Sequence, residues 1–129
     1  MADDLTQFQS RLFGTFLREA AGHVGAMPGL LAILEQNPGQ AEAARDLFRE
    51  IHSLKGAAGA AEQEVVEFLC QSLEQMLIKI QRGDLVIGAG FFVVFYHGHA
   101  LLEEGLAGLA RGCKFTIPLQ FLESVRKLM

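Results

Sequence analysis

The chain has 129 residues, half of them hydrophobic and a fifth charged, which excludes an intrinsically disordered protein and allows a sizeable core. We expect a single domain over residues 1–129. The net charge of −4, without any run rich in lysine or arginine, argues against a nucleic acid as partner.

The sequence also carries signals about compartment. Residues 1–4 are acidic and lack the basic-then-apolar pattern of a signal peptide. The longest apolar stretch, residues 85–96, is about half the length needed to span a bilayer. Cys70 and Cys113 lack C-x-x-C or zinc spacing, and as small buried thiols they fit a reducing cytosol. We therefore expect a cytoplasmic protein with no membrane contact, no metal and no cofactor of its own.

A helical period runs through the first part of the chain. Its apolar residues recur at steps of three and four: Leu5, Phe8, Leu12, Phe16, Ala20, Val24, Met27, Leu31 and Leu34. Pro28 interrupts this pattern, because proline removes one backbone hydrogen bond and favours a kink. We expect one long bent helix that ends at Asn37-Pro38-Gly39, with two consecutive helices as the alternative.

A second helix is predicted from about Gln40 to Ala60. Its apolar stripe consists of Ala44, Leu47, Ile51, Leu54, Ala58 and Ala61. At about 100° per residue, His52 lies on the order of 130° from the centre of that stripe. We therefore expect solvent to reach the His52 imidazole.

The neighbours of His52 distinguish it from an ordinary surface histidine, which is the alternative interpretation. Gly56 and Gly59 lie beside the ring, and each glycine inside a helix costs roughly 1 kcal/mol relative to alanine. We infer that these glycines clear space for another macromolecule. Three cationic side chains surround the same spot: Arg45, Arg49 and Lys55. An open ring nitrogen that is nucleophilic near neutral pH and flanked by positive charge suits a transient phosphoryl group.

Three further helices follow. The third is predicted to start near Glu62 and to close at Gly83-Asp84, with a core stripe of Val66, Leu69, Leu73, Met76 or Leu77, and Ile80. The fourth carries Phe91, Phe95, Leu102, Leu106 and Leu109; a strand at its start would have nowhere to pair. Thr116 is predicted to cap a fifth helix, with Pro118 in its first turn. The short connections predict an all-α fold, an up-down-up-down four-helix bundle with an additional C-terminal helix.

The residues around His52 resemble the signature of a known protein family. His52-Ser53-Leu54-Lys55-Gly56, followed by Ala57-Ala58-Gly59, resembles the His-x-x-Lys-Gly signature of histidine phosphotransfer domains. The similarity is closest to the amino-terminal phosphotransfer domain of chemotaxis-type histidine kinases. Residues 15–20, Leu47-Phe48-Arg49, Leu73-Glu74 and Arg82-Gly83-Asp84 also resemble that domain, so most of the chain is covered, least clearly residues 85–113.

The resemblance implies a function. His52 would accept a phosphoryl group from the ATP-bound catalytic domain of a histidine kinase or from a phosphoaspartate, and would pass it to an aspartate of a response-regulator receiver domain. Magnesium would belong to the partner's active site. The chain has no G-x-x-x-x-G-K nucleotide-binding pattern, so it is expected to be a carrier and not an independent enzyme.

The resemblance also assigns roles on the third helix. Glu74 would hold Nδ1 of His52 by a hydrogen bond, so that Nε2 carries the phosphoryl group; the alternative is a solvated glutamate. Lys55 would offset part of the phosphoryl charge and tune rates without being indispensable. Arg45 and Arg49 are weaker candidates, expected on a solvated face. Gln71 stands where the family often has a histidine.

The other aromatic and histidine residues receive structural interpretations. His23, His97 and His99 are expected to be structural or solvated and not metal ligands, since His97 and His99 point in different directions on a helix. The aromatic group Phe91, Phe92, Phe95 and Tyr96 is expected to be core, with a partner contact as the alternative. Two other functions compete: a helical adaptor with a vestigial His52, and a metal or cofactor bundle, for which the required Glu-x-x-His patterns do not occur.

Overall fold

The computed structural model describes residues 2–129, with side chains from residue 4 onward, and every regular element within them is a helix. The five helices are α1 (Ala2–Gln36), α2 (Ala41–Ala60), α3 (Glu64–Gln81), α4 (Ala89–Ala110) and α5 (Leu119–Leu128). The all-α class is therefore confirmed for these residues. Part of the expectation about a signal peptide falls on Met1, which lies outside the described residues. Among residues 2–129, no helix is long and apolar enough to cross a membrane.

α1 continues through Pro28 as one helix, because a side chain from α4 replaces the hydrogen bond that the proline removes. Without an N–H at Pro28, the Val24 carbonyl four residues earlier lacks its usual helical donor. His99, buried on α4, places Nε2 at 3.1 Å from that carbonyl oxygen. Since a carbonyl only accepts, Nε2 carries the proton. His99 is thus a structural histidine, as expected.

Most of the predicted apolar residues meet in one core, but Leu5, Phe8 and Leu12 in the first part of α1 are exposed. α2 packs against both α1 and α3, α4 packs mainly against α1, and α5 packs on α4. The largest fully buried side chains are Phe91, Phe95, Phe121, Met27, Leu31, Leu34, Leu47, Ile51, Leu54, Leu69, Leu73 and Met76. Ile80, Ala61 and Leu109 lie at the edge of the core and are only partly buried. Of the two thiols expected to be buried, Cys70 is, but Cys113 is exposed after the end of α4, so that expectation was wrong for Cys113.

The turn after α2 sets how α3 returns along it. Glu62 adopts a positive φ of 58°, and the amide N–H of Gln63 donates to the Ala58 carbonyl at 2.8 Å. This is a Schellman motif with a non-glycine residue in the left-handed position. α3 therefore begins at Glu64, two residues later than predicted, because Glu62 belongs to the turn. α3 and α4 end in the same way, with glycine in that position: Gly83 and Gly112.

The start of α5 differs from the prediction. Thr116 is exposed and does not cap the helix, because Pro118 occupies the N-cap position and the helix begins at Leu119. Proline disfavours helical backbone in the residue before it, so Ile117 remains outside the helix. The helix therefore starts no earlier than the proline, so Thr116 lies too far ahead of it for its hydroxyl to act as the cap.

Candidate functional site

His52 lies on the solvent-facing side of α2, as its position off the apolar stripe predicted. Its side chain is 62% exposed. Ile51 and Leu54, on either side along the helix, are completely buried and fix this face outward. The packing of α2 thus presents the imidazole to solvent without any special loop.

A buried carboxylate on α3 holds the ring. His52 Nδ1 lies 2.7 Å from Glu74 Oε2, and Lys55 Nζ donates to the other oxygen, Oε1, also at 2.7 Å. The Glu74 side chain is only 6% exposed, whereas that of Lys55 is 22% exposed. Glu74 is therefore not the solvated glutamate of the alternative interpretation. α2 contributes two donors and α3 contributes the shared acceptor.

The charge state of Glu74 follows from its two partners. Burial raises the pKa of the Glu74 carboxyl, but the hydrogen bonds from Lys55 and His52 and their nearby charge outweigh it. The net result is a pKa below the ordinary value of 4.5, so Glu74 is ionised at neutral pH. Cys70, one turn earlier on α3, behaves oppositely: burial, with the neighbouring Glu74 charge, raises the pKa of its thiol to about 12. Cys70 is consequently an inert protonated thiol beside the site.

This hydrogen-bond pattern assigns the tautomer of His52. An ionised carboxylate only accepts, so Nδ1 must carry the proton. Nε2 then bears the lone pair, and it has no hydrogen-bond partner among the described residues. The arrangement therefore exposes a nucleophilic nitrogen and pins the opposite side of the same ring.

An aromatic neighbour, which the sequence analysis did not select, restricts the ring further. Phe48 and His52 stack with ring centroids 5.7 Å apart and planes only 11° from parallel. The two residues are four apart on α2, a spacing at which helical side chains meet, so the sequence does contain a signal for this contact. Phe48 is itself packed against the core. The imidazole is thus held by a hydrogen bond on its edge and by a ring on its face.

The two glycines near His52 have different surroundings. A Cβ atom at Gly56 would meet no heavy atom of the described residues within 4 Å outside its own stretch of helix, so internal packing does not require this glycine. A Cβ atom at Gly59 would lie 2.8 Å from Oε2 of Glu67 on α3. That atom is the end of an exposed, flexible side chain that can move aside, so internal packing does not require Gly59 either.

The remaining predicted residues lie around the site without touching the imidazole. Arg45 and Arg49 are exposed, and the Arg49 guanidinium pairs with the Asp46 carboxylate one turn back. Gln71 accepts a hydrogen bond from Lys55 Nζ at 3.3 Å. The arginines therefore form a solvated cationic edge, and Gln71 joins the site through the lysine.

The structure also gives partners to histidines that the sequence left without one. His23 on α1 places Nδ1 at 2.7 Å from Glu50 Oε2 on α2. His97 packs edge-on against the Phe121 ring. Among the described side chains, no group of three or more histidine, cysteine or carboxylate residues is arranged to hold a metal ion.

Comparison with known proteins places the chain in a family. The family model described as the Hpt domain matches residues 11–111. The chain is also similar to relatives named chemotaxis protein CheA. That of Halobacterium salinarum is 36% identical over 72 residues, which cover 56% of this chain and 11% of the relative. That of Bacillus subtilis is 25% identical over 97 residues (75% of this chain, 14% of the relative), and that of Treponema pallidum is 29% identical over 87 residues (67% of this chain, 11% of the relative). The chain thus spans 11–14% of the length of these relatives. It belongs to the Hpt domain family, whose members carry phosphoryl groups on histidine in two-component signalling.

Proposed function

We propose that this chain is a phosphoryl carrier that bears the group on Nε2 of His52. The observation that carries the proposal is the 2.7 Å hydrogen bond from His52 Nδ1 to the buried Glu74 carboxylate, with Nε2 left open. Membership of the Hpt family supports the same chemistry. We also propose that the chain is a single cytoplasmic domain, with its first four helices arranged up-down-up-down.

The proposed reaction uses the ring as a nucleophile. The Nε2 lone pair attacks the phosphorus of the donor, an Nε2–P bond forms, and the bond from phosphorus to the donor's leaving group breaks. Nδ1 keeps its proton, and Glu74 stabilises the positive charge that develops on the ring. In the second step a carboxylate oxygen of the acceptor attacks phosphorus, the N–P bond breaks, and the neutral ring is restored.

Under this proposal Lys55 binds Glu74 in the unphosphorylated site and offsets phosphoryl charge in the phosphorylated one. Its ammonium group is held by Glu74 Oε1 and Gln71, so the unphosphorylated site keeps the positive charge one turn from the ring. A phosphoryl group on Nε2 brings negative charge into this neighbourhood, and the lysine offsets part of it. Because Lys55 is already shared with a carboxylate, we expect it to tune the rate without being indispensable.

The proposed partners are a histidine-kinase catalytic domain as donor and a response-regulator receiver domain as acceptor. The relatives named chemotaxis protein CheA support a chemotaxis-type pathway. Gly56, which has open space above it, and the exposed Arg45 and Arg49 lie next to His52, where such partners would approach. ATP binding and magnesium binding would then be supplied by the partners.

The test labels the protein with phosphoramidate and maps the product. Peptide mass spectrometry at neutral to alkaline pH, where phosphohistidine survives, locates each phosphoryl group. We expect His52 to be labelled more than about tenfold faster than His97, an exposed histidine that serves as the internal control. Labelled protein freed of donor should then pass the group to a receiver domain, and His52→Gln should not. Absence of label at residue 52, or equal transfer by His52→Gln, would favour the adaptor function.

A further inference from the structure

The molecule contains a second histidine whose Nδ1 contacts a glutamate of a neighbouring helix. His23 on α1 and Glu50 on α2 form a contact between Nδ1 and Oε2 at 2.7 Å, the same atoms and the same distance as in the His52–Glu74 pair. α2 is therefore tied to each neighbouring helix by one histidine–carboxylate bond. In one bond α2 supplies the histidine, and in the other it supplies the carboxylate.

The free nitrogen of His23 also faces solvent. Glu50 accepts the Nδ1 proton, so Nε2 holds the lone pair. Nε2 has no hydrogen-bond partner among the described residues. Among those of them that are partly or fully buried, every side-chain nitrogen or oxygen that is shielded from solvent has a partner, so Nε2 of His23 is in contact with solvent. With 28% of its side chain exposed, His23 is accessible to a small molecule but offers less surface to a protein than His52 does.

A surface cleft lies beside the carboxylate of the pair. A cleft of about 440 Å³ opens beside Glu50 between α1 and α2, lined by Ala26, Leu30, Asp46, Arg49, Glu50 and Ser53. His23 does not itself line this cleft; among the lining residues, Ala26 lies three residues after it on α1. Arg49 and Asp46, one turn apart on the α2 side of this cleft, pair with each other, so the guanidinium compensates one of the two carboxylates there.

We propose that His23 is a second phosphoryl-accepting histidine, for small donors with a P–N bond such as phosphoramidate. The proposal rests on the chemistry proposed for His52 and adds a modification site to it. Nε2 attacks phosphorus, the N–P bond to the ring forms, and the donor's P–N bond breaks. The donor's nitrogen, protonated as –NH₃⁺ in the reacting phosphoramidate, leaves as ammonia, and Nδ1 keeps its proton in the hydrogen bond to Glu50.

The two sites should differ in rate. The Glu50 side chain is 31% exposed, against 6% for Glu74, so water screens its interaction with the imidazole more strongly. Glu74 also binds Lys55, whereas Glu50 has no lysine partner among the described residues. We therefore expect His23 to be labelled about tenfold more slowly than His52.

The experiment uses wild type, His52→Gln, His23→Gln and the double variant, each treated with phosphoramidate and mapped site by site. We expect two labels on wild type, one on each single variant and neither of these labels on the double variant. If His52→Gln takes no label while wild type is labelled at His52, the inference is wrong and the proposed function stands. If wild type takes no label at either residue, both fail.

A crossed pair of variants tests the positioning role of the carboxylates. Glu50→Gln should slow labelling at His23 by about tenfold and leave His52 unchanged, whereas Glu74→Gln should do the reverse. Circular dichroism checks that each variant is folded before its rates are compared. The inference would be overturned if Glu50→Gln left the labelling rate of His23 unchanged, or if His23 were labelled no faster than His97.

Discussion

Glu74 accepts two hydrogen bonds at once, and glutamine at this position would keep only one of them. Glutamine has the same size and retains one carbonyl oxygen, but it replaces the second oxygen with an NH₂ donor. That donor would face either the Nδ1–H of His52 or the ammonium of Lys55, each 2.7 Å from the present carboxylate. One bond would therefore become a contact between two donors, or the His52 proton would move to Nε2 and remove the lone pair there.

The size of the effect follows from burial. A hydrogen bond to a charged group contributes about 1.5–3 kcal/mol, and the 22%-exposed Lys55 recovers part of this from water. We expect Glu74→Gln to lower the free energy of unfolding by about 2 kcal/mol. Loss of a carboxylate that orients an imidazole typically costs about 10–100-fold in activity, and we expect a fall of that size in the labelling rate of His52.

Urea denaturation followed by far-ultraviolet circular dichroism gives the stability, and site-mapped phosphoramidate labelling gives the rate. Glu67→Gln is the matched control, because Glu67 is an exposed glutamate on the same helix whose side chain makes no hydrogen bond among the described residues. It should change stability by less than about 0.5 kcal/mol. If Glu74→Gln matches this control in both stability and labelling rate, Glu74 does not hold His52 in the way described.

Three further predictions concern pH, the α1–α4 contact and the glycine beside the site. Because the native pKa of Glu74 is lowered, the stabilisation by this carboxylate is complete above about pH 4.5 and is lost as pH falls through the native pKa. Wild type should therefore lose more free energy of unfolding than Glu74→Gln between pH 7 and pH 3. Equal losses for the two proteins in urea denaturation at the two pH values would contradict this. His99→Phe should lower the free energy of unfolding by about 1–3 kcal/mol, because it leaves the Val24 carbonyl without a hydrogen-bond donor. A variant as stable as wild type in urea denaturation would contradict this. Gly56→Ala should raise stability by up to about 1 kcal/mol and leave phosphoramidate labelling of His52 unchanged while slowing transfer to a receiver domain; unchanged transfer would remove its proposed access role.

The helices and the exposure of His52 could be predicted because both depend on local periodicity. A stripe that repeats every three or four residues fixes which side of α2 enters the core, and His52 lies off that stripe. The prediction of the α5 cap was wrong for a local reason of another kind. Pro118 restricts the backbone of the residue before it, and this restriction outweighs the preference for threonine at the cap.

The contacts between helices could not be predicted in the same way. Periodicity placed Glu74 outside the main core stripe of α3, where only the family resemblance selected it over a solvated glutamate. Its burial depends on Lys55 and His52 of α2 replacing water around the carboxylate. The pairing of His23 with Glu50 likewise depends on how α1 and α2 align, which neither helix encodes alone.

The central claim is that the phosphoryl group is carried by Nε2 of His52 while Nδ1 remains hydrogen-bonded to Glu74. Long-range ¹H–¹⁵N correlation spectroscopy of the phosphorylated, ¹⁵N-labelled protein measures this directly, because it identifies which ring nitrogen bears phosphorus and which bears the proton. We expect phosphorus on Nε2 and a proton on Nδ1 of His52. Phosphorus on Nδ1, or an unmodified His52 in protein that has taken up label elsewhere, would contradict it.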